Sequence, residues 1–147
     1  MDDTLQIDDA SLALELAKLL KDHRGAEVVV MDMRPLNFWT DFFVIATTTS
    51  RTHLAGLERH IKEFARERGV EILRRSRKHK TLVQSQAEPQ NEEWSLTDMG
   101  TIVVHLMTAN ARSFFELERL WSAAPLIYQT ESPQTAGLTS KGQGEAT

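Results

Sequence analysis

Residues 94–107 read WSLTDMGTIVVHLM. Two short runs rich in β-branched and apolar side chains flank Asp98, Met99 and Gly100, so the stretch is predicted to be a hairpin whose glycine supplies the backbone freedom a tight turn needs. With Met99 and Gly100 as the two turn residues, Asp98 opposes Thr101, Leu96 opposes Val103 and Trp94 opposes His105. That register places Trp94, Leu96, Val103, His105 and Met107 on one face. A face that mixes indole and imidazole with aliphatic side chains suits a partner patch with a polar handle. It suits packing under helices equally well, because parity says which residues share a side and not what covers them.

Downstream of the hairpin, Phe114, Leu117, Leu120 and Trp121 recur at helical spacing, and Pro125 closes the helix they predict. From about Gln129 the chain turns Ser-, Thr-, Gly- and Gln-rich, with too little apolar content to offset ordering entropy. Upstream, RRSRKHKTLVQSQAEPQNEE (74–93) is basic, then polar, and Pro89 breaks regular structure, so most of it is read as an extended loop after a short strand around 70–73. Before that, Ser50 is placed to cap a helix with Leu54, Leu57, Ile61, Phe64 and Ala65 as its apolar stripe, Glu58 and Lys62 paired outside, and Gly69 at its end. AEVVVMDM (26–33) and DFFVIATT (41–48) read as strands buried on both faces, separated by RPLNFWT with its Pro35. SLALELAKLLKDH (11–23) is a first amphipathic helix stopped by Gly25.

The order α, β, β, α, β, β, β, α predicts an α/β fold: a single domain with a mixed β-sheet of about five strands and helices packed on it. The boundaries expected are a flexible N-terminus over 1–8, the domain over 9–128 and a disordered tail over 129–147.

With 41% hydrophobic and 26% charged residues among 147, the composition is that of a folded globular protein. There is no cysteine, which removes disulfides, thiolate zinc sites and cysteine nucleophiles. No apolar run reaches membrane-spanning length, and the acidic start MDDTLQIDD lacks a signal core, so a cytoplasmic protein with no membrane partner is expected. A net charge of −4 disfavours autonomous nucleic-acid binding and suits a basic protein partner.

Catalytic chemistry finds little footing. The five histidines (23, 53, 60, 79 and 105) form no HExxH pattern, so no metal is expected; His53 and His60 read as solvated helix residues. ATTTSRTH (46–53) carries threonines where a phosphate cradle would need glycines. Asp32 and Asp41 are single carboxylates at strand edges, suited to turn and cap hydrogen bonds, and no strand carries the paired carboxylates that two-metal nucleotidyl transfer requires. No nucleophile elbow is present. The expectation is therefore no enzyme and no cofactor. The cluster RRSRKHK places Arg74, Arg75, Arg77, Lys78 and Lys80 within seven residues; it can seek phosphate or simply be a solvated loop, and no aromatic residue is interleaved to stack on bases.

Three ordered blocks, TDFFVIATTTSRTH (40–53), WSLTDMGTIVVHLM (94–107) and RSFFELERLWSAAP (112–125), resemble the ribosomal silencing factors, also called the Iojap family. The family's runs read approximately T-D-[YF]-F-V-I-A-T-G-T-S-S-R, W-x-x-x-D-x-G-x-V-V-V-H and R-x-[FY]-Y-x-L-E-x-L-W, and the likeness spans about Ser11 to Pro125. It implies a domain akin to a nucleotidyltransferase fold without the catalytic carboxylates. The implied function is a translational repressor, active under starvation or in stationary phase, which docks on the large ribosomal subunit through ribosomal protein uL-fourteen and blocks joining of the small subunit. Carried across by position, Trp94, Asp98, Gly100 and His105 match the second block, and Arg112, Phe115, Glu118 and Trp121 the third. The implied docking residues are Trp94, Asp98, Met99, Gly100, His105, Arg112, Phe115 and Glu118.

Thr48 stands where the family usually has glycine, Phe115 where tyrosine is common, and Ala123 where an aspartate often follows. The 69–94 connection is longer than the family's and holds the basic cluster, whose Arg74, Arg75, Arg77, Lys78 and Lys80 can contact ribosomal RNA. Two other readings stand beside the repressor: a nucleotide-handling enzyme, motivated by the fold analogy and the helix entry at Thr47 to Arg51, and an RNA-binding module built on 74–80. The exposed hairpin face also suits self-association, giving a homodimer of the free protein.

Overall fold

A computed structural model of the chain describes residues 8–78, 94–120 and 122–130. Leucine and alanine at helical spacing bury Leu12, Ala13, Leu16, Ala17 and Leu20 on one side of helix α1 (Asp9–Asp22). The helix ends against Gly25, whose N–H donates to the Leu20 carbonyl at 2.7 Å. A Cβ at Gly25 would stand 2.9 Å from that same oxygen, so no larger residue fits the close approach.

Strand β1 (Ala26–Asp32) pairs antiparallel with β2 (Phe42–Thr48). The last five residues of β1 and all seven of β2 are buried, as central strands covered on both faces must be. Helix α2 (Arg51–Glu67) follows: the Ser50 hydroxyl accepts from the His53 N–H, and Leu54, Leu57, Ile61, Phe64 and Ala65 form its buried stripe. Gly69, at φ +69°, turns the chain out of the helix.

The sheet is completed by β3 (Arg74–Lys78), β4 (Trp94–Asp98), β5 (Ile102–Thr108) and β6 (Leu126–Gln129), with short helices α3 (Ala109–Phe115) and α4 (Leu117–Leu120) before β6. Its order is β3-β4-β5-β2-β1-β6. The β2–β5 pair is parallel and the other four pairs are antiparallel, so the sheet is mixed, as expected. One face carries Val28, Val30, Phe42, Val44, Ala46, Val104 and Leu106 under α1 and α2. The opposite face carries Val29, Met31, Phe43, Ile45, Val103 and Met107, packed by Leu36, Phe38, Ala111 and Ala124 from the connections.

Four expectations need correction. The strand placed around 70–73 lies at 74–78 instead, so the start of the supposed extended loop is an edge strand; Val70 and Ile72 merely pack on the helix-side core. Charged residues serve an edge strand well, and they erase the apolar alternation by which strands are recognised. Residues 79–93 lie outside the described residues.

The hairpin pairs two residues further along than predicted, with Trp94 across from Met107, Leu96 from His105 and Asp98 from Val103. Gly100 and Thr101, not Met99 and Gly100, are its turn residues, closed by the Met99 N–H donating to the Ile102 carbonyl. The reason is glycine's position: φ is +89° at Gly100, which a mirror-type hairpin turn accepts at its first central residue, whereas the predicted register would have put Met99 there. Because the shift is even, every side chain keeps its predicted face.

The final helix is broken. Glu116 adopts φ +47° between α3 and α4, and Phe114, expected on the buried stripe, is 79% exposed. The side chains of Leu117, Leu120 and Trp121 lie outside the described residues. Beyond Pro125 the chain adds a strand that went unpredicted, β6, making six strands among the described residues. Four residues without alternation give no strand signal; what forms β6 is pairing with β1, extended by Thr130, whose N–H donates to the Val28 carbonyl and whose hydroxyl accepts from the Val28 N–H. Of the tail expected over 129–147, Gln129 belongs to β6 and Thr130 is bonded to Val28, so the ordered chain runs past the expected boundary at 128; residues 131–147 lie outside the described residues.

Candidate functional site

Trp94 opens β4 and His105 sits mid-β5, two residues off direct opposition, so the pair meets on a diagonal within reach of long aromatic side chains. The half-buried indole donates its N–H to His105 Nδ1 at 3.0 Å. An indole nitrogen only donates, so Nδ1 must accept, and the buried imidazole is neutral with its hydrogen on Nε2. Phe43 meets the same imidazole edge-on at 4.5 Å, Phe38 meets Phe43 edge-on at 5.6 Å, and Trp39 lies 5.5 Å from Phe38. An aromatic row, Trp39–Phe38–Phe43–His105–Trp94, thus crosses the sheet face opposite α1 and α2. It ends at Trp39, which is 57% exposed.

Sequence reading found Trp94 and His105 but missed Phe38, Trp39 and Phe43. The signal was the NFW triplet in the loop after Pro35, since a tryptophan in a short connection has little core to enter.

Asp98, Met99 and Gly100 lie at the far end of β4. The Asp98 carboxylate accepts the Gly100 N–H at 2.8 Å and stands 3.5 Å from the Arg74 guanidinium, so it organises the turn. Met99 is buried in the helix-side core, and the Thr40 hydroxyl donates to the Gly100 carbonyl at 2.9 Å.

Arg112 and Glu118 come together elsewhere. Arg112 is buried and donates to the Glu27 carbonyl at 2.6 Å, to the Thr47 hydroxyl at 2.9 Å and, through Nε, to Glu118 Oε2 at 3.0 Å. Its second terminal nitrogen makes a further ion pair with the same carboxylate. The guanidinium fork therefore pins the α3–α4 segment to the start of β1, where Glu27 takes φ +45° in a bulge, and to the end of β2. This spends Arg112 inside the domain and leaves Glu118 as the member of the pair facing water. Phe115 ends α3, and its side chain is outside the described residues.

Of the basic cluster, Arg74, Arg75, Arg77 and Lys78 form β3, and Lys80 is outside the described residues. Asp32 takes the turn role expected of it: its carboxylate accepts from the Arg34 backbone and guanidinium, which holds its pKa below the usual value against the opposing effect of burial. His53 and His60 are not simply solvated. His53 Nδ1 accepts from the Thr49 N–H at 3.0 Å and Nε2 reaches the His23 carbonyl at 3.0 Å, while His60 stacks on His23 at 3.7 Å. Among the described residues, no group of three or more His, Cys, Asp or Glu could hold a metal ion, and no helix is long and apolar enough to cross a membrane.

A family model described as "Ribosomal silencing factor during starvation" matches residues 6–146. The chain is 29% identical over 128 residues to the chloroplast protein Iojap of Arabidopsis thaliana, covering 84% of this chain and 49% of that protein, about half its length. It is 35% identical over 109 residues to the ribosomal silencing factor of Treponema pallidum, covering 74% of this chain and 88% of that one. The Bacillus subtilis ribosomal silencing factor is 30% identical over 106 residues, with 71% and 80% covered. Among solved structures, a crystal structure from Chromobacterium violaceum matches with a TM-score of 0.60 at 26% identity, over 77% of this chain and 82% of that one. One from Bacillus halodurans matches with a TM-score of 0.57 at 27% identity, over 81% and 95%.

Proposed function

The chain belongs to the ribosomal silencing factor family, and from that premise we propose that it represses translation in the cytoplasm by docking on the large ribosomal subunit and sterically blocking the small one. The protein it grips is ribosomal protein uL-fourteen, and the condition is starvation. The observation that carries this reading is the aromatic row from Trp39 to Trp94 on the sheet face opposite α1 and α2.

Rigid aromatic side chains, tryptophan with its single N–H donor among them, are what protein interfaces concentrate at their centres. Trp94 is the anchor, held in place by His105; Trp39 extends the contact from the 34–40 connection. Glu118, facing water beside its buried arginine, adds an acidic contact for a basic partner, in keeping with the net charge of −4. Asp98, Met99 and Gly100 act by shaping the hairpin, and Arg112 by fixing the segment that carries Phe115 and Glu118. Nothing in this reading requires a bond to be made or broken: a bound domain excludes the small subunit by occupying its space.

The test is sedimentation of the purified chain with isolated large subunits, together with light scattering of subunit joining. Binding and inhibition are expected for the wild type, with both lost in a Trp39→Ala/Trp94→Ala double variant that remains folded. Failure of the wild type to bind large subunits or purified uL-fourteen, or unchanged binding by the double variant, overturns the proposed surface.

A further inference from the structure

Resting on the docking reading above, we propose that strand β3 is a phosphate rail, contacting the sugar–phosphate backbone of RNA that borders the docking point. Of the 17 lysines and arginines in a chain with 21 acidic residues, four fall in the five residues of β3. Forming a strand changes what such a cluster can do. In a loop the cations would disperse into solvent, whereas a strand sets alternate residues about 6.6 Å apart in a fixed row.

The row lies at the rim of the aromatic face. β3 is terminal in the sheet order and adjoins β4, about 4.8 Å away in the hydrogen-bonding direction. The register puts Arg74 across from Asp98, Ser76 across from Leu96 and Lys78 across from Trp94. Arg75, across from Thr97, alternates to the other side, and Arg77 takes the strand position across from Ser95. The rail therefore presents cations on both sides of one edge. The Arg74 side chain is 64% exposed despite its contact with Asp98, and Arg75 and Ser76 are exposed.

A cationic edge with no apolar or aromatic residue of its own gives the apolar anchors of a protein interface nothing to bury against. It matches a polyanion of regular spacing, and arginine forks fit phosphate. Such contacts position without reading sequence, the part a rim would play beside an aromatic anchor.

The experiment uses the full chain, a fluorescein-labelled RNA hairpin with a stem of about 16 base pairs, and isolated large subunits. Arg74→Gln/Arg75→Gln/Arg77→Gln is compared with Lys21→Gln/Lys62→Gln/Arg66→Gln, which removes equal charge from exposed helix positions. We expect the strand variant to lower the slope of log K against log salt for RNA by about three, roughly one per arginine, and to weaken large-subunit binding at low salt. The helix variant should do neither. Trp94→Ala should lose large-subunit docking yet keep RNA affinity, so failure of the docking surface and failure of the rail are distinguishable. Equal salt slopes for the strand variant and wild type overturn the rail. So does displacement of the RNA by polyglutamate at the same charge concentration, which would make the partner an acidic polypeptide. So does a strand variant that self-associates while its RNA binding stays unchanged, which would reduce the charges to protection of a sheet edge.

Discussion

The indole N–H of Trp94 donates to His105 Nδ1 over 3.0 Å, on a diagonal between β4 and β5. Trp94→Phe keeps an aromatic ring and deletes the donor, so it should cost about 1 kcal/mol of stability, read as a lower urea midpoint. Trp94→Ala removes the anchor and should weaken large-subunit binding by at least about 30-fold, equivalent to about 2 kcal/mol. A phenylalanine variant with an unshifted midpoint would show that the bond adds no net stability.

Arg112 is 8% exposed, and its partners are a backbone carbonyl, a hydroxyl and a carboxylate. Arg112→Met should destabilise the domain by about 3 kcal/mol, because it leaves polar groups in a largely desolvated place without their donor. Glu118→Gln retains an acceptor at a partly solvated position and should cost about 1 kcal/mol or less. Urea denaturation of the two variants side by side checks the ordering, which a merely superficial ion pair would not produce.

Gly100→Ala tests the hairpin. A Cβ at this position meets only Leu73 Cδ1 at 3.6 Å, so space is available and the penalty comes from φ +89°. The expected loss is about 1–2 kcal/mol in thermal or chemical unfolding. A neutral substitution would mean that the turn relaxes to another register.

His60 has its pKa lowered from the ordinary 6.5, first by burial and then by the charge of His23 stacked on it. Its neutral form is the one that suits the fold. The associated stability is fully present above pH 6.5 and is lost as pH falls through the lowered value. An NMR titration should place the His60 midpoint below 6.5, and His23→Ala should raise it. A midpoint at or above 6.5 in the wild type would contradict this environment.

Helices α1 and α2, the buried strands β1 and β2 and the faces of the hairpin were legible from sequence because each declares itself locally: helical spacing in Leu12, Leu16 and Leu20, unbroken apolar runs in β1 and β2, and two β-branched, apolar runs about a glycine turn in β4 and β5. Even the misjudged hairpin register left Trp94, Leu96, His105 and Met107 together, since side-chain parity survives a two-residue slip. Tertiary structure decided what has no local period. β3 exists through pairing with β4 and β6 through pairing with β1, and neither carries an apolar alternation of its own. Phe38 and Trp39 join the row only because Phe43 lies beneath the loop that carries them. Arg112 looked like a surface contact, but it reaches Glu27, 85 residues away in the chain. Long-range hydrogen bonds depend on where the backbone goes, and that path is set by the whole sheet rather than by the residues on either side.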